Sequence, residues 1–148
     1  MKLFFDTSVL IDYFSRREPY VKDWLTLLVI HGFGDAELWV SVKSFIDVFC
    51  LAQKEVGSIR LPQIFAESLK LSRVCSIGSI YIEEATKTAW NDFEDCLIDV
   101  AVRKVKADFI ITRDRSGFSK SCVPALSYEQ FISWLERAKY TSYEALSL

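Results

Sequence analysis

The chain has 148 residues, the length of one ordinary domain, and 51% of them are apolar, which excludes a disordered chain and supplies a packed core. The formal net charge of −2 excludes a protein that holds nucleic acid by bulk electrostatics. It does not exclude an enzyme that acts on nucleic acid, because a bound dication reverses the sign of an acidic pocket.

Lys2–Phe5 reads as a short buried strand, and Asp6, Thr7 and Ser8 follow as a turn and helix start, since all three are natural N-caps. Val9–Phe14 is the first predicted helix, stopping in Ser15–Pro19. Tyr20–His31 is the second, with Val21, Trp24, Leu25, Leu28 and Val29 as its apolar residues. A loop over Gly32–Asp35 leads to a strand at Leu38–Val40. Ser41 caps a helix over Val42–Val56, whose 3.6-residue period predicts a buried face of Val42, Phe45, Ile46, Phe49, Cys50 and Ala52. Further elements are a helix over Pro62–Leu71, a strand at Val74–Ile77, a helix from Ile82 to Thr88 and a helix over Asp92–Val105 buried through Phe93, Leu97, Ile98, Ala101, Val102 and Val105. The apolar Phe109–Ile111 centre of a strand over Asp108–Thr112 suits a parallel sheet covered on both faces. A short strand at Pro124–Leu126 and a helix over Tyr128–Ala138 close the pattern. Strands alternating with helices imply βαβ units and a parallel sheet, and ligands of such sheets bind beyond the carboxyl ends of the strands.

The cysteines are Cys50, Cys75, Cys96 and Cys122, without CxxC spacing, and His31 is the single histidine, so a structural zinc site has little support. At least three of the thiols sit in apolar sequence typical of core cysteine. The longest apolar runs, such as Trp24–Ile30, are too short to cross a membrane. One lysine ahead of three apolar residues makes no secretory leader, so the expected location is the cytoplasm. Tyr13, Phe14, Tyr20 and Trp24 crowd the first two helices, which is compatible with a filled core or with an exposed contact for a partner helix or a homodimer.

The chemistry resides in aspartates at places where strands hand over to helices, or on helices beside them: Asp6, Asp47, the trio Asp92, Asp95 and Asp99, and Asp114. Carboxylates gathered at strand ends are what Mg²⁺ or Mn²⁺ requires, because both take oxygen ligands. Asp92, Asp95 and Asp99 are spaced i, i+3, i+7 and share one helical face, where like charges cost roughly 0.2–0.5 kcal/mol per close pair unless a cation offsets them. Each residue also has a structural role open to it: Asp6 and Asp92 as N-caps, Asp95 in a helix first turn, Asp99 paired with Arg103, Asp114 as a turn residue, Asp47 on a solvated face. Arg113 and Lys43 read as surface residues.

LFFDTSVLIDYF, the acidic helix around Asp47, DFEDCLIDVAV, ADFIITRDRSGF and VPALSYEQF together resemble the PIN domain family, over Lys2 to about Phe131. The resemblance implies a three-layer α/β/α fold with a central parallel sheet of four to five strands, in one domain over residues 1–148. It implies a metal-dependent ribonuclease using Mg²⁺ or Mn²⁺, and, for a VapC-like member, the toxin half of a toxin–antitoxin pair. Carried onto this chain, Asp6, Asp95 and Asp114 match the metal-binding acidic positions, with Asp47 as a fourth catalytic position where the family more often has Glu. Thr112 matches the motif threonine, and Thr7, Ser8 and Thr112 are expected to hydrogen-bond the carboxylates. Gly117 stands where the family often has Asp. That thinning leaves a second outcome open, a PIN fold that no longer cuts and works by binding protein or RNA.

Overall fold

The structure, a computed structural model, describes residues 1–139; the expected single domain over 1–148 extends past them. The strands are β1 (Lys2–Phe5), β2 (Glu37–Ser41), β3 (Ser72–Cys75), β4 (Phe109–Ile111) and β5 (Ala125–Leu126). The helices are α1 (Thr7–Phe14), α2 (Tyr20–Gly32), α3 (Val42–Val56), α4 (Arg60–Ser68), α5 (Ser79–Thr86), α6 (Phe93–Val105) and α7 (Tyr128–Lys139), with a 3-10 turn at Ser116–Phe118.

The strands form one parallel sheet in the order β3-β2-β1-β4-β5. Alternate residues of a strand face opposite sides. Accordingly Leu3, Phe5, Leu38, Val40 and Ile111 join the core under α1–α4 and α7, while Phe4 and Ile110 join Ile98, Ala101, Val102 and Phe118 on the other side. Both faces are covered, so the α/β/α three-layer expectation holds. The chain leaves β1 towards β2 and β3 on one side and returns to β4 and β5 on the other. The β1–β4 boundary is therefore the topological switch point.

Several boundaries and faces differ from the sequence reading. The third strand begins two residues earlier, at Ser72, because β3 is an edge strand and tolerates Ser72 and Arg73, which apolarity does not flag. Helix α4 begins at Arg60 with Pro62 inside its first turn, where a missing N–H costs nothing. Helix α5 runs earlier than expected, over Ser79–Thr86. On α3 the fully buried positions are Ser44, Val48 and Ala52, whereas Val42, Ile46 and Cys50 are exposed. The helix is rotated to put Ser44 against Thr7 of α1, whose hydroxyl donates to Ser44 Oγ at 2.9 Å. Leu25 of α2 is exposed in favour of Thr26, Leu27 and Ile30, and Phe93 of α6 is exposed because Asp92, immediately before it, is the cap. Only Cys75 and Cys96 are buried; Cys50 and Cys122 are exposed, and all four thiols are free. The aromatic crowd of α1 and α2 is core: Phe14 and Trp24 are buried, and Tyr13 stacks on Trp24 with ring centroids 4.3 Å apart. Among the described residues no helix is long and apolar enough to cross a membrane.

Candidate functional site

Asp6 follows β1 directly and caps α1. Its carboxylate is held by three donors: the Thr7 backbone N–H on Oδ1 at 2.7 Å, and the Ser8 and Thr112 hydroxyls on Oδ2 at 2.6 and 2.8 Å. Thr112 directly follows β4 and is buried; its Oγ1 also accepts the N–H of Asp114 at 3.0 Å. One threonine hydroxyl thus joins the ends of the two strands that flank the switch point. Asp114 Oδ1 in turn accepts from Ser116 Oγ at 2.5 Å and from the N–H groups of Ser116 and Gly117 at 3.1 and 3.3 Å. These bonds, the Ser116 hydroxyl first, hold the Asp114 carboxyl below the usual carboxylate range.

Helix α6 brings the third carboxylate. Asp92 caps it, accepting from the N–H groups of Glu94 and Asp95. Asp95 lies in the first turn, facing Gly117. A Cβ on Gly117 would stand 2.2 Å from Asp95 Oδ2 and 3.6 Å from Asp114 Oδ2. Both carboxylates therefore stand against Gly117, and Asp95 Oδ2 takes the space that a side chain there would need. Burial first, then the charges of Asp6, Asp92, Asp114 and Glu94, push the Asp95 carboxyl up to about 6. Asp6, Asp95 and Asp114 thus lie at the same end of the sheet, near enough for the charges of Asp6 and Asp114 to act on Asp95. A cavity of about 340 Å³ lies over Asp95 and Asp114.

Other candidates fall elsewhere. Asp47 does not line that cavity; Lys43 holds it, and the same ammonium reaches Glu94 Oε1 at 2.8 Å, tying α3 to the start of α6. Thr7 serves Asp6 through its backbone only, since its hydroxyl is spent on Ser44. Asp99 takes the structural role open to it: it is buried and pairs with Arg103 Nε at 2.9 Å, and Arg103 also grips Glu84 of α5. Arg113 is no free surface cation. Its Nε lies 2.8 Å from Oδ2 of the buried Asp12 of α1, without the alignment of a hydrogen bond, and its guanidinium sits 5.4 Å from the Tyr20 ring centroid. Sequence reasoning missed Ser44, Ser116 and the Asp12–Arg113 pair. The signal for the last was present as two opposite charges inside the two strongest motifs.

The oxygens that Asp95 and Asp114 present beside Gly117 are carboxylate oxygens, which fit a hard dication. Among the described residues no group of three His, Cys, Asp or Glu side chains stands close enough to enclose a cation as it is. Mg²⁺ needs no such cage, since it binds through one or two carboxylates and keeps several waters. Asp95 and Asp114 are the two carboxylates that could hold such an ion, with the charge of Asp6 behind them.

Two solved structures share this architecture. The VapBC2 structure from Rickettsia felis, bound to a DNA fragment from its promoter, matches with a TM-score of 0.63 at 12% identity, over 86% of this chain and 98% of that one. The Mycobacterium tuberculosis VapC20 toxin, which cleaves the sarcin–ricin loop, matches with a TM-score of 0.60 at 14% identity, over 80% of this chain and 94% of that one. No curated protein matches the chain in sequence. A PIN domain family model matches residues 2–116, which include Asp6, Asp95 and Asp114. On that match, with the α/β fold in agreement, the chain belongs to the PIN domain family.

Proposed function

We propose that this protein is a divalent-metal-dependent endoribonuclease, with Asp6, Asp95 and Asp114 holding Mg²⁺ or Mn²⁺. The observation that carries the reading is the approach of Asp95 Oδ2 and Asp114 Oδ2 to one glycine, Gly117, at the mouth of the cavity they line. When bound, the cation lowers the pKa of a coordinated water from ~15.7 towards ~7 and supplies counter-charge to the leaving oxygen. The chain's own groups do the positioning. Ser8 and Thr112 fix Asp6, Ser116 and Gly117 N–H fix Asp114, and the Asp92 cap fixes the first turn that carries Asp95. Asp47 acts at one remove, by keeping Lys43 against Glu94.

The biological setting we infer is a toxin–antitoxin pair, supported by likeness of fold to VapBC2 and VapC20. The exposed apolar residues Val42, Ile46 and Phe93 offer contact surface for an antitoxin segment or a second copy. In the test, Asp6→Asn and Asp95→Asn variants are assayed on RNA with Mn²⁺, with circular dichroism as the check on folding. Both are expected to fold and to lose cleavage; full activity in either overturns the assignment. A second reading, a PIN fold that binds without cutting, draws on Asp47 being occupied by Lys43 and on Gly117 in place of a carboxylate. Calorimetric titration with Mn²⁺ decides between them: the nuclease reading expects saturable heat that Asp95→Asn removes, and a flat titration of the wild type favours the binding module.

A further inference from the structure

The cavity over Asp95 and Asp114 extends past the carboxylates to Trp90, Asn91, Ser119 and Lys120. Its volume of about 340 Å³ exceeds what a hydrated cation fills and lies within the range of small-ligand pockets, ~300–1,000 Å³. Trp90 is half-buried and is braced edge-on by the buried Phe118, with centroids 6.3 Å apart and rings inclined at 73°. Lys120 Nζ donates to Ala89 O at 2.5 Å, which pins it beside Trp90 and leaves two of its three donors for another acceptor. The remainder of the lining combines amide, carboxylate and hydroxyl side chains with Gly117. Their oxygens accept the amino and imino donors of a nucleobase, and Lys120 is the cation among them.

We propose that this extension is a nucleotide subsite: an unpaired base of single-stranded RNA, next to the scissile phosphate, stacks on Trp90 while Lys120 takes the phosphate on its far side. Every base presents a π-face, and base–aromatic stacking is how single strands are held without a groove. A duplex end does not fit, because its bases are already stacked and paired. The subsite therefore selects loops and unpaired segments and makes Trp90 a determinant of where the chain is cut. Asn91 is placed to read the edge of the base. The inference rests on the nuclease reading for its chemistry, but its binding arm stands alone.

The test uses the full chain and single-stranded RNA oligonucleotides in which an abasic nucleotide is walked through the cleavage site. In the wild type, one abasic position adjoining the cut is expected to raise KM at least about fivefold with little change in kcat. Trp90→Leu is expected to lose the same factor on intact RNA and nothing further on the abasic one, and to keep wild-type Mn²⁺ affinity by calorimetry. Trp90→Phe, which keeps a ring, is expected to retain most of the affinity and provides the comparison if Trp90→Leu does not fold. KM that ignores every abasic position, or a Trp90→Leu protein that responds to the abasic base as the wild type does, overturns the subsite. If the wild type cuts nothing with Mn²⁺, the nuclease reading fails, and fluorescence anisotropy with the same oligonucleotides still decides the subsite: base-dependent binding lost in Trp90→Leu supports it, and binding indifferent to base and to Trp90 sinks it.

Discussion

At the scale of single residues, Gly117 decides whether Asp95 can face Asp114. As a sequence position it reads as a loss, a glycine where the family often carries a carboxylate. In space it is a requirement, because a Cβ there would stand 2.2 Å from Asp95 Oδ2. The clash is with the far end of a short flexible side chain, so Gly117→Ala is expected to leave the fold intact, within about 0.5 kcal/mol. It should push the Asp95 carboxylate away from Gly117 and weaken Mn²⁺ binding by roughly tenfold or more, the scale seen when groups that orient a metal ligand are altered. Calorimetry and a thermal melt on the same sample check both halves; unchanged Mn²⁺ affinity would count against Asp95 as a ligand. Asp6 and Asp114 were legible because each follows a short apolar strand in a recognisable motif. Thr7 was misjudged because sequence does not say which of two acceptors a hydroxyl chooses, and Ser44 on α3 claims it.

At the scale of elements, the loop after β4 is fastened to α1 and α2 through one side chain. Arg113 pairs with Asp12, covers Tyr20, and has its own backbone N–H 3.4 Å from Ser8 Oγ. Asp12 is buried, and burial pushes its carboxyl up while Arg113 and Arg17 pull it back down. Removing a partner from a buried pair costs roughly 3–5 kcal/mol, but the Arg113 side chain is 43% exposed and Arg17 lies 3.8 Å from Asp12, so Arg113→Ala is expected to cost about 1–2 kcal/mol. In an Asp12→Asn background the same change should cost distinctly less, because no buried charge is stranded; urea denaturation of the four proteins of the cycle measures this. Equal costs in both backgrounds would mean that the two side chains are neighbours without coupling. Elements with a strong apolar period, α6 and β1 above all, were readable to within a residue or two. The turn of α3 was not, because the fully buried Ser44 meets α1 through a hydroxyl pair beside the Phe14–Phe45 packing, and hydrophobic periodicity carries no information about a polar contact. The edge strand β3 slipped for a related reason: half of it is polar and pairs on one side only.

At the scale of the whole molecule, a net charge of −2 conceals a concentration of negative charge at the carboxyl end of the sheet. Two carboxyls record it: Asp95, pushed up to about 6 by burial and then by Asp6, Asp92, Asp114 and Glu94, and Asp23 of α2, pushed up to about 6 by burial and then by Glu129 and Asp12. A folded-state pKa above the ordinary 3.8 means that the folded chain binds the proton more tightly than the unfolded one. Stability from these two groups is therefore full below about pH 4 and is lost as pH rises through 6. Asp114 and Glu84 are shifted the other way and contribute stability that disappears only in more acidic solution. Without metal, the melting temperature is thus expected to be higher at pH 5 than at pH 7.5. On the proposed function a dication would bind the ionised form of Asp95 and reverse this. At a concentration 100 times its Kd it adds about 2.7 kcal/mol, roughly 5–10 °C for a chain of this size. Mn²⁺ should accordingly raise the melting temperature strongly at pH 7.5 and weakly at pH 5. Asp95→Asn should raise the metal-free stability at pH 7.5 by about 1 kcal/mol, after allowance for solvent screening, and abolish the metal response. Asp23→Asn should flatten the metal-free pH dependence and leave the response to Mn²⁺ untouched. Thermal melts of the three proteins at both pH values, with EDTA or with Mn²⁺, separate the two sites; an equal Mn²⁺ effect at pH 5 and 7.5, or one that survives Asp95→Asn, places the ion away from this carboxylate.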